Sequence, residues 1–363
     1  MKPVNRILVI IRRYNGDVLL SSPLIEALHK YYSAPKIDLL VNEDTLGVAK
    51  TIKYIDTIYT YSYKWRELSL YERVKKEWGL FRKLYRNYDL SINLTANDRS
   101  ILYAITASSH ALSAREEEHA KSWWKKIFLK HSYTFDTNRH ILSNNLASLK
   151  ALKIDLPRIE LKAYHSEASS EKIEKKLKEK KIEKFIIYHP SAQHEYKIYP
   201  EALRNSLLTL LNSLKIPVVV TGAKSEIETN IKRSLPDLEY LYDFIGETTL
   251  DEYIALSERS LAYIGMDTLN MHIAAGQNKR IFAIFGPTLP QVWSPWSNLS
   301  QGYAVQSMPV QTYGNVTLFQ ADMPCVACGL AGCDDKGGRS DCLYQIDPNI
   351  IFEEVTKWLT KSV

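Results

Sequence analysis

The sequence predicts an α/β protein made of two doubly wound parallel sheets, and three observations point there. From residue 6 to residue 95, short apolar runs alternate with stretches whose apolar residues recur at helical spacing. A strongly charged stretch, EASSEKIEKKLKEKKIEK (167–184), stands in the middle of the chain. After it the alternation starts again. Strands that alternate with helices need crossover connections, which place helices on the faces of a parallel sheet. A chain of 363 residues has room for two such domains, at roughly 100–200 residues each.

The elements follow in order. RILVII (6–11) is an unbroken apolar run and reads as a strand. VLLSSPLIEALHKYY (18–32) has helical spacing and reads as one helix. KIDLLV (36–41) is a strand, TLGVAKTI a short helix, IDTIYTYS a strand, ERVKKEWGLFRKLYRN a helix and LSINLT (90–95) a strand. REEEHAKSWWKKIFLKHSYTFDTN (115–138) fits no sheet period and reads as an insertion; HILSNNLASLKALKI (140–154) returns to helical spacing. The charged stretch carries Glu/Lys pairs at i,i+4 support distance, as an exposed helix does. Beyond it, FIIYHPSA is a strand and turn, and PEALRNSLLTLLNSL is a helix with Pro200 in its first turn. IPVVVTGA and LYDFIG are strands, TLDEYIALSERS a helix, and LAYIG and RIFAIFG strands around the short helix MDTLNMHIAAGQNK. The expected organisation is a first domain over 1–165, a charged helical connector over 166–184, a second domain over 185–346 and a C-terminal helix over 347–363. Doubly wound domains bind ligands at the carboxyl ends of their strands, and two of them leave a cleft for that purpose.

Composition is that of a soluble globular protein, 45% hydrophobic and 24% charged. No apolar run approaches the roughly 20 residues of a bilayer span. The six-residue apolar run near the start is closed by Arg12 and Arg13 and reads as a strand rather than a signal peptide, so a cytoplasmic location is expected. Charge is uneven. Residues 1–165 hold 27 Lys and Arg against 17 Asp and Glu, a net of +10; residues 166–363 hold 20 against 24, a net of −4. A basic front half suits an anionic partner, whether a phosphorylated glycan, a membrane surface or a nucleic acid, or simply well-solvated helices. KSWWKKIFLK (121–130) and ERVKKEWGLFRKLYR (72–86) mix basic and large apolar residues, which suits a membrane surface and equally an amphipathic helix packed on a sheet. No nucleic-acid motif is present, and no nucleic-acid partner is expected.

Four segments at strand ends carry candidate chemistry. In YIGMDTLNMHIAAGQNKRIFAIFGPT (263–288), Asp267 or Thr268 is placed to cap the helix after a strand. The positive end of that helix favours phosphate, and His272 lies one turn on. HPSAQHEYKIYP (189–200) follows another strand and offers Ser191 and Lys197, a point charge for a diphosphate. The chain has no Asp-x-Asp pair to recruit a divalent ion, and a lysine with a helix N-terminus can take that part. VVVTGAKSEIE (218–228) gives Gly222 for a turn and Glu226 at a helix start, where a carboxylate can accept ribose hydroxyls or simply complement the helix. In RRYNGDVLLSSP (12–23), Asp17 follows the first strand; it reads as an N-cap or as a general base for an incoming hydroxyl, and at a cap its pKa would be lowered.

Together, GDVLLSSP, HPSAQHEYKIYP, TGAKSEIE and GMDTLNMHIAA…FAIFGPT resemble glycosyltransferase family 9, the ADP-heptose:lipopolysaccharide heptosyltransferases, in the same order and over nearly the whole chain. The resemblance implies a GT-B fold: two Rossmann-like doubly wound domains facing a central cleft, acceptor in the first and nucleotide sugar in the second. It implies inverting transfer of heptose from ADP-heptose to a hydroxyl of the phosphorylated lipopolysaccharide core, without a cofactor, at the cytoplasmic face of the inner membrane. By motif, Asp17 is the implied base and Lys197 the implied diphosphate lysine. Ser191, Gly222, Glu226, Thr248, Asp267, Thr268, Leu269 and His272 complete the implied donor set. Leu269 stands where the family carries glycine. Transfer to a protein or another glycan, and nucleotide-sugar binding without turnover, are the competing readings.

All four cysteines fall in CVACGLAGCDDKGGRSDC (325–342), as Cys325, Cys328, Cys333 and Cys342. Four clustered cysteines in a cytoplasmic chain point to a structural metal, zinc ahead of iron. Reduced thiols and two disulfides are the alternatives.

Overall fold

The computed structural model describes residues 3–116, 123–129, 131–156 and 158–362. The chain divides into two compact units, Met1–Lys162 and Ala163–Val363. Unit 1 runs β1 (Arg6–Ile11), α1 (Asn15–Leu19), α2 (Ser22–Tyr31), β2 (Lys36–Asn42), α3 (Leu46–Ala49), β3 (Thr57–Tyr61), α4 (Leu70–Leu84), β4 (Leu90–Asn93), α5 (Asp98–Ala107), β5 (Ala111–Arg115), α6 (Trp123–Phe128), β6 (His131–Thr134) and α7 (Ile141–Ala151). Its sheet has the order β3-β2-β1-β4-β5-β6, with every pair parallel. The winding reverses between β1 and β4, and the crevice outside their carboxyl ends is where such sheets bind ligands. The apolar run of β1 is explained by its place: as a central strand it is covered on both faces, and Ile7 to Ile11 are all buried.

Two expectations in this unit are corrected. The single helix over 18–32 is two helices. Ser21, at the N-cap position of α2, turns its hydroxyl back to donate to Val18 O at 2.7 Å, and Pro23 sits in the first turn of α2, where its missing N–H costs nothing. The stretch 115–138 is not an insertion throughout. Its second half forms α6 and β6, and β6 extends the sheet by pairing with β5 from Leu112↔His131 to Arg115↔Thr134. Only one residue of β6 is buried, so a strand at the sheet's edge shows no apolar run to read. Residues 117–122 and 130 of that stretch lie outside the described residues.

Unit 2 runs α8 (Glu167–Glu179), β7 (Ile186–His189), α9 (Glu201–Asn212), β8 (Val218–Gly222), α10 (Glu226–Arg233), β9 (Leu241–Ile245), α11 (Leu250–Arg259), β10 (Ala262–Met266), α12 (Leu269–Gly276), β11 (Arg280–Ile284), α13 (Pro290–Trp293), β12 (Val310–Tyr313), β13 (Val316–Phe319), α14 (Asp341–Tyr344) and α15 (Pro348–Ser362). The sheet order is β12-β13-β11-β10-β7-β8-β9. All pairs are parallel except the hairpin β12–β13, which turns through Gly314 at φ +50°. The winding matches that of unit 1, with β7 between β8 and β10, so the switch point lies between β7 and β10. At that point Gly265 pairs with His189, and a Cβ on Gly265 would stand 2.4 Å from His189 O. Glycine lets the two strands meet there. No described helix is long and apolar enough to cross a membrane.

Candidate functional site

In unit 2 the loops after β7 and β10 leave the same edge of the sheet, because Gly265 is in register with His189. This brings Lys197, in a 3₁₀ turn after β7, to Asp267 after β10: Lys197 Nζ donates to Asp267 Oδ2 at 3.3 Å, with both side chains partly shielded from solvent. Of the two capping candidates, Thr268 is the N-cap of α12, with extended backbone (φ −144°, ψ 173°) and no side-chain cap bond. The first N–H groups of α12 are therefore not answered by their own cap and stay available to an acceptor such as a phosphate oxygen. Thr268 Oγ1 lies 3.4 Å from the Tyr263 hydroxyl, and Leu269 opens the helix.

His272 follows one turn on and is buried, and its Nδ1 has no hydrogen-bond partner. Desolvation lowers its pKa to about 4, against the pull of Asp267, so the ring is neutral near pH 7. A buried polar atom without a partner is costly and uncommon. Next to a charged lysine and an open helix start, it is a group prepared for a ligand.

His189, at the end of β7, ties the loops together. Its Nδ1 is 3.0 Å from Thr221 Oγ1, its Nε2 is 3.3 Å from Ser191 Oγ, and Asn270 Nδ2 lies 3.0 and 3.1 Å from the two ring nitrogens. Burial lowers the pKa of His189 to about 4. Sequence reasoning placed Ser191 but passed over His189 and Thr221 as site residues. The signal available was a histidine closing an apolar strand. Gly222 does not adopt a left-handed turn; it ends β8, and a Cβ there would meet Glu228 Cγ at 2.8 Å. Gly222 therefore makes room for the buried carboxylate of α10, which accepts from Ser225 Oγ, while Glu226 is exposed on the first turn. Thr248 is half-buried in the turn after β9, where Gly246 at φ +74° donates its N–H to Gly222 O at 2.9 Å.

In unit 1 the loop after β1 carries Asp17. Tyr14 is the N-cap of α1, and Asp17 sits inside the first turn, buried. Desolvation raises its pKa, and Arg13 opposes the rise: Arg13 Nη1 donates to Asp17 Oδ1 at 3.3 Å. The expected lowering is thus reversed, because burial outweighs both the helix start and the arginine. Arg12, the residue after β1, is a buried cation with no carboxylate partner among the described residues. Its guanidinium lies 3.8 Å from the Tyr61 ring centroid, its Nη1 reaches Ser100 Oγ only at 3.5 Å, and its Nε is unpartnered. The sequence reading used Arg12 only as the stop of a strand.

The cysteine loop does not form the expected metal cage. Among the described residues no group of three or more His, Cys, Asp or Glu is arranged to hold a metal ion. Cys325, Cys328 and Cys333 are exposed free thiols, Cys342 is a buried one, and Asp341 N donates to Cys333 Sγ at 3.3 Å. The loop gathers the thiols, since the other three add to the burial that raises the Cys342 thiol to about 11. It does not fit a metal as arranged, and no chemistry is assigned to one.

A doubly wound sheet with an anion cradle at its switch point is the plan of a nucleotide-binding domain. Two doubly wound units in one chain match the architecture of the GT-B class of glycosyltransferases. The chain belongs to glycosyltransferase family 9 (heptosyltransferase), which matches residues 78–318. It is 26% identical over 309 residues to lipopolysaccharide heptosyltransferase 3 of Escherichia coli K12, covering 82% of this chain and 88% of that protein. Its fold is similar to that of E. coli ADP-heptose lipopolysaccharide heptosyltransferase II, with a TM-score of 0.73 at 19% identity over 98% of this chain and 99% of the other. The E. coli heptosyltransferase WaaC, solved with ADP, gives a TM-score of 0.72 at 16% identity over 97% and 99%. The protein is a glycosyltransferase.

Proposed function

We propose that this enzyme moves heptose from ADP-heptose onto a hydroxyl of the phosphorylated lipopolysaccharide core, with inversion at the anomeric carbon. The observation that carries the reading is the unit 2 switch point, where a lysine, an uncapped helix start and an unpartnered neutral histidine stand together. These groups suit a nucleoside diphosphate sugar. Lys197 and the N–H groups of α12 stabilise the charge that grows on the diphosphate as the sugar–oxygen bond breaks. Asp267 holds Lys197 in place. Ser191, held by His189, and the Thr268 hydroxyl supply further donors, while Gly222, Glu226 and Thr248 line the nucleoside side. His272 is neutral and offers a hydrogen bond rather than a charge.

In unit 1, Asp17 takes the proton of the acceptor hydroxyl as its oxygen attacks the anomeric carbon. A carboxylate whose pKa is raised by burial is a better base than a solvated one. Arg12, buried in the same unit without a carboxylate, suits a phosphate of the acceptor. Transfer itself uses no metal. Chelation is therefore expected to leave turnover unchanged. The enzyme works in the cytoplasm at the inner membrane, where a lipid-linked acceptor is presented. The test is mass spectrometry of a core glycan after incubation with ADP-heptose. The glycan gains one heptose and ADP is released; release of ADP without a heavier glycan would point to another acceptor, and no ADP release would remove the enzymatic reading.

A further inference from the structure

Helix α4 carries an apolar stripe on the side turned away from its own core. Leu80 and Leu84 are buried in the core cluster, yet Leu70, Val74, Trp78 and Tyr85 are each more than half exposed. With Phe81 they recur at i, i+4, i+8, i+11 and i+15, which makes one continuous stripe. Its aromatic members form a ladder: Trp78 and Phe81 stack with ring centroids 5.3 Å apart, and Phe81 and Tyr85 follow at 5.3 Å. The neighbouring helices continue it. α5 and α6 pack into the same core cluster as α4, through Ile101, Ala104 and Trp124, so all three helices cover one face of the sheet. Leu102 of α5 and Ile127 and Phe128 of α6 are also at least half exposed.

The charge beside this stripe decides what covers it. α4 holds five Lys and Arg against two Glu. Both carboxylates are engaged: Glu72 accepts from Ser69 Oγ at 2.8 Å, and Glu77 meets Arg73 at 3.4 Å and Arg99 at 3.7 Å. Lys75 and Arg82, which border the stripe, and Arg86 just beyond it have no carboxylate partner among the described residues. A second copy of the chain would bring like charges together along this face. An anionic lipid surface matches it, with aromatic rings at the headgroup level and cations over the phosphates. We propose that the outer face of α4, extended by Leu102, Ile127 and Phe128, docks the enzyme on an anionic lipid surface.

The proposal rests on the membrane reading above and names its surface. The test is sedimentation of the full chain with vesicles of phosphatidylcholine alone, or of phosphatidylcholine mixed with phosphatidylglycerol, at low and high salt. The wild type pellets with the anionic vesicles and is released by salt. Val74→Glu with Trp78→Glu lowers binding about tenfold, and Lys75→Gln with Arg82→Gln lowers it less and weakens its salt dependence. Transfer to a soluble acceptor and the melting temperature stay at wild-type values in both double variants. Wild-type binding by the Val74/Trp78 variant overturns the surface while leaving the membrane reading intact. A wild type that pellets with neither vesicle overturns both. A concentration-dependent dimer that the Val74/Trp78 variant abolishes assigns the face to a second copy instead.

Discussion

Asp17 and Asp267 follow strands that flank the switch points of their own sheets, and the two units treat them in opposite ways. Asp17 is fully buried in the first turn of α1, and desolvation raises its pKa despite Arg13 at 3.3 Å. Asp267 stands just before an open helix start and is paired with Lys197 at 3.3 Å. One environment makes a carboxylate want a proton; the other makes it hold a cation. In the proposed mechanism the same residue type, beside the switch point of each sheet, serves as a base in unit 1 and as part of a diphosphate cradle in unit 2. What decides is the balance of burial against pairing.

The sharpest break in that comparison is Asp17→Asn, which keeps the shape and removes the proposed base. Turnover is expected to fall by about 10²–10⁴-fold in a steady-state ADP-release assay, the range of general base catalysis. Lys197→Ala comes next. It leaves Asp267 unpaired and removes the charge proposed to meet the diphosphate, and kcat is expected to fall about 10²-fold, as when one electrostatic donor to a leaving group is lost. Arg13→Gln sharpens the contrast. Arg13 is what holds the raised Asp17 pKa in check, so without it the acid limb of the kcat/KM profile moves to higher pH. An unmoved limb would mean that another group accepts the proton.

The smallest effect concerns stability. His189 and His272 titrate at about 4 in the folded chain against 6.5 unfolded. Between those values the unfolded state binds more protons, so stability is lost as pH falls from 6.5 towards 4. Urea midpoints measured across that window should decline, and His272→Gln should make the decline shallower. Thiol labelling offers a separate check: Cys325, Cys328 and Cys333 should react quickly and Cys342 slowly, given its burial and a pKa of about 11.

The central strands were legible because a strand covered on both faces must be apolar throughout. RILVII and KIDLLV correspond to β1 and β2 almost residue for residue. β6 was not legible, since an edge strand with one buried residue has no such pattern. The hairpin β12–β13 carried no expectation either; two four-residue strands are too short to show a period. At the site, spacing and punctuation pointed to Lys197, Asp267, Thr268 and Asp17. They could not give the direction of the Asp17 shift, because burial is a property of the packed sheet and not of the segment. For the same reason the linking role of His189 was hidden: its partners Thr221 and Asn270 are 32 and 81 residues away and meet it only through strand register. The cysteine spacing suggested a cage, but spacing fixes which thiols share a loop and not whether their sulfurs take up a ligand geometry.

Calorimetric titration of ADP into Asp17→Asn and Lys197→Ala, side by side, tests the division of labour most directly. Asp17→Asn should bind ADP as the wild type does, and Lys197→Ala should bind about tenfold more weakly, the loss of one charge-assisted contact. Weakened binding in Asp17→Asn, or wild-type binding in Lys197→Ala, would contradict the account.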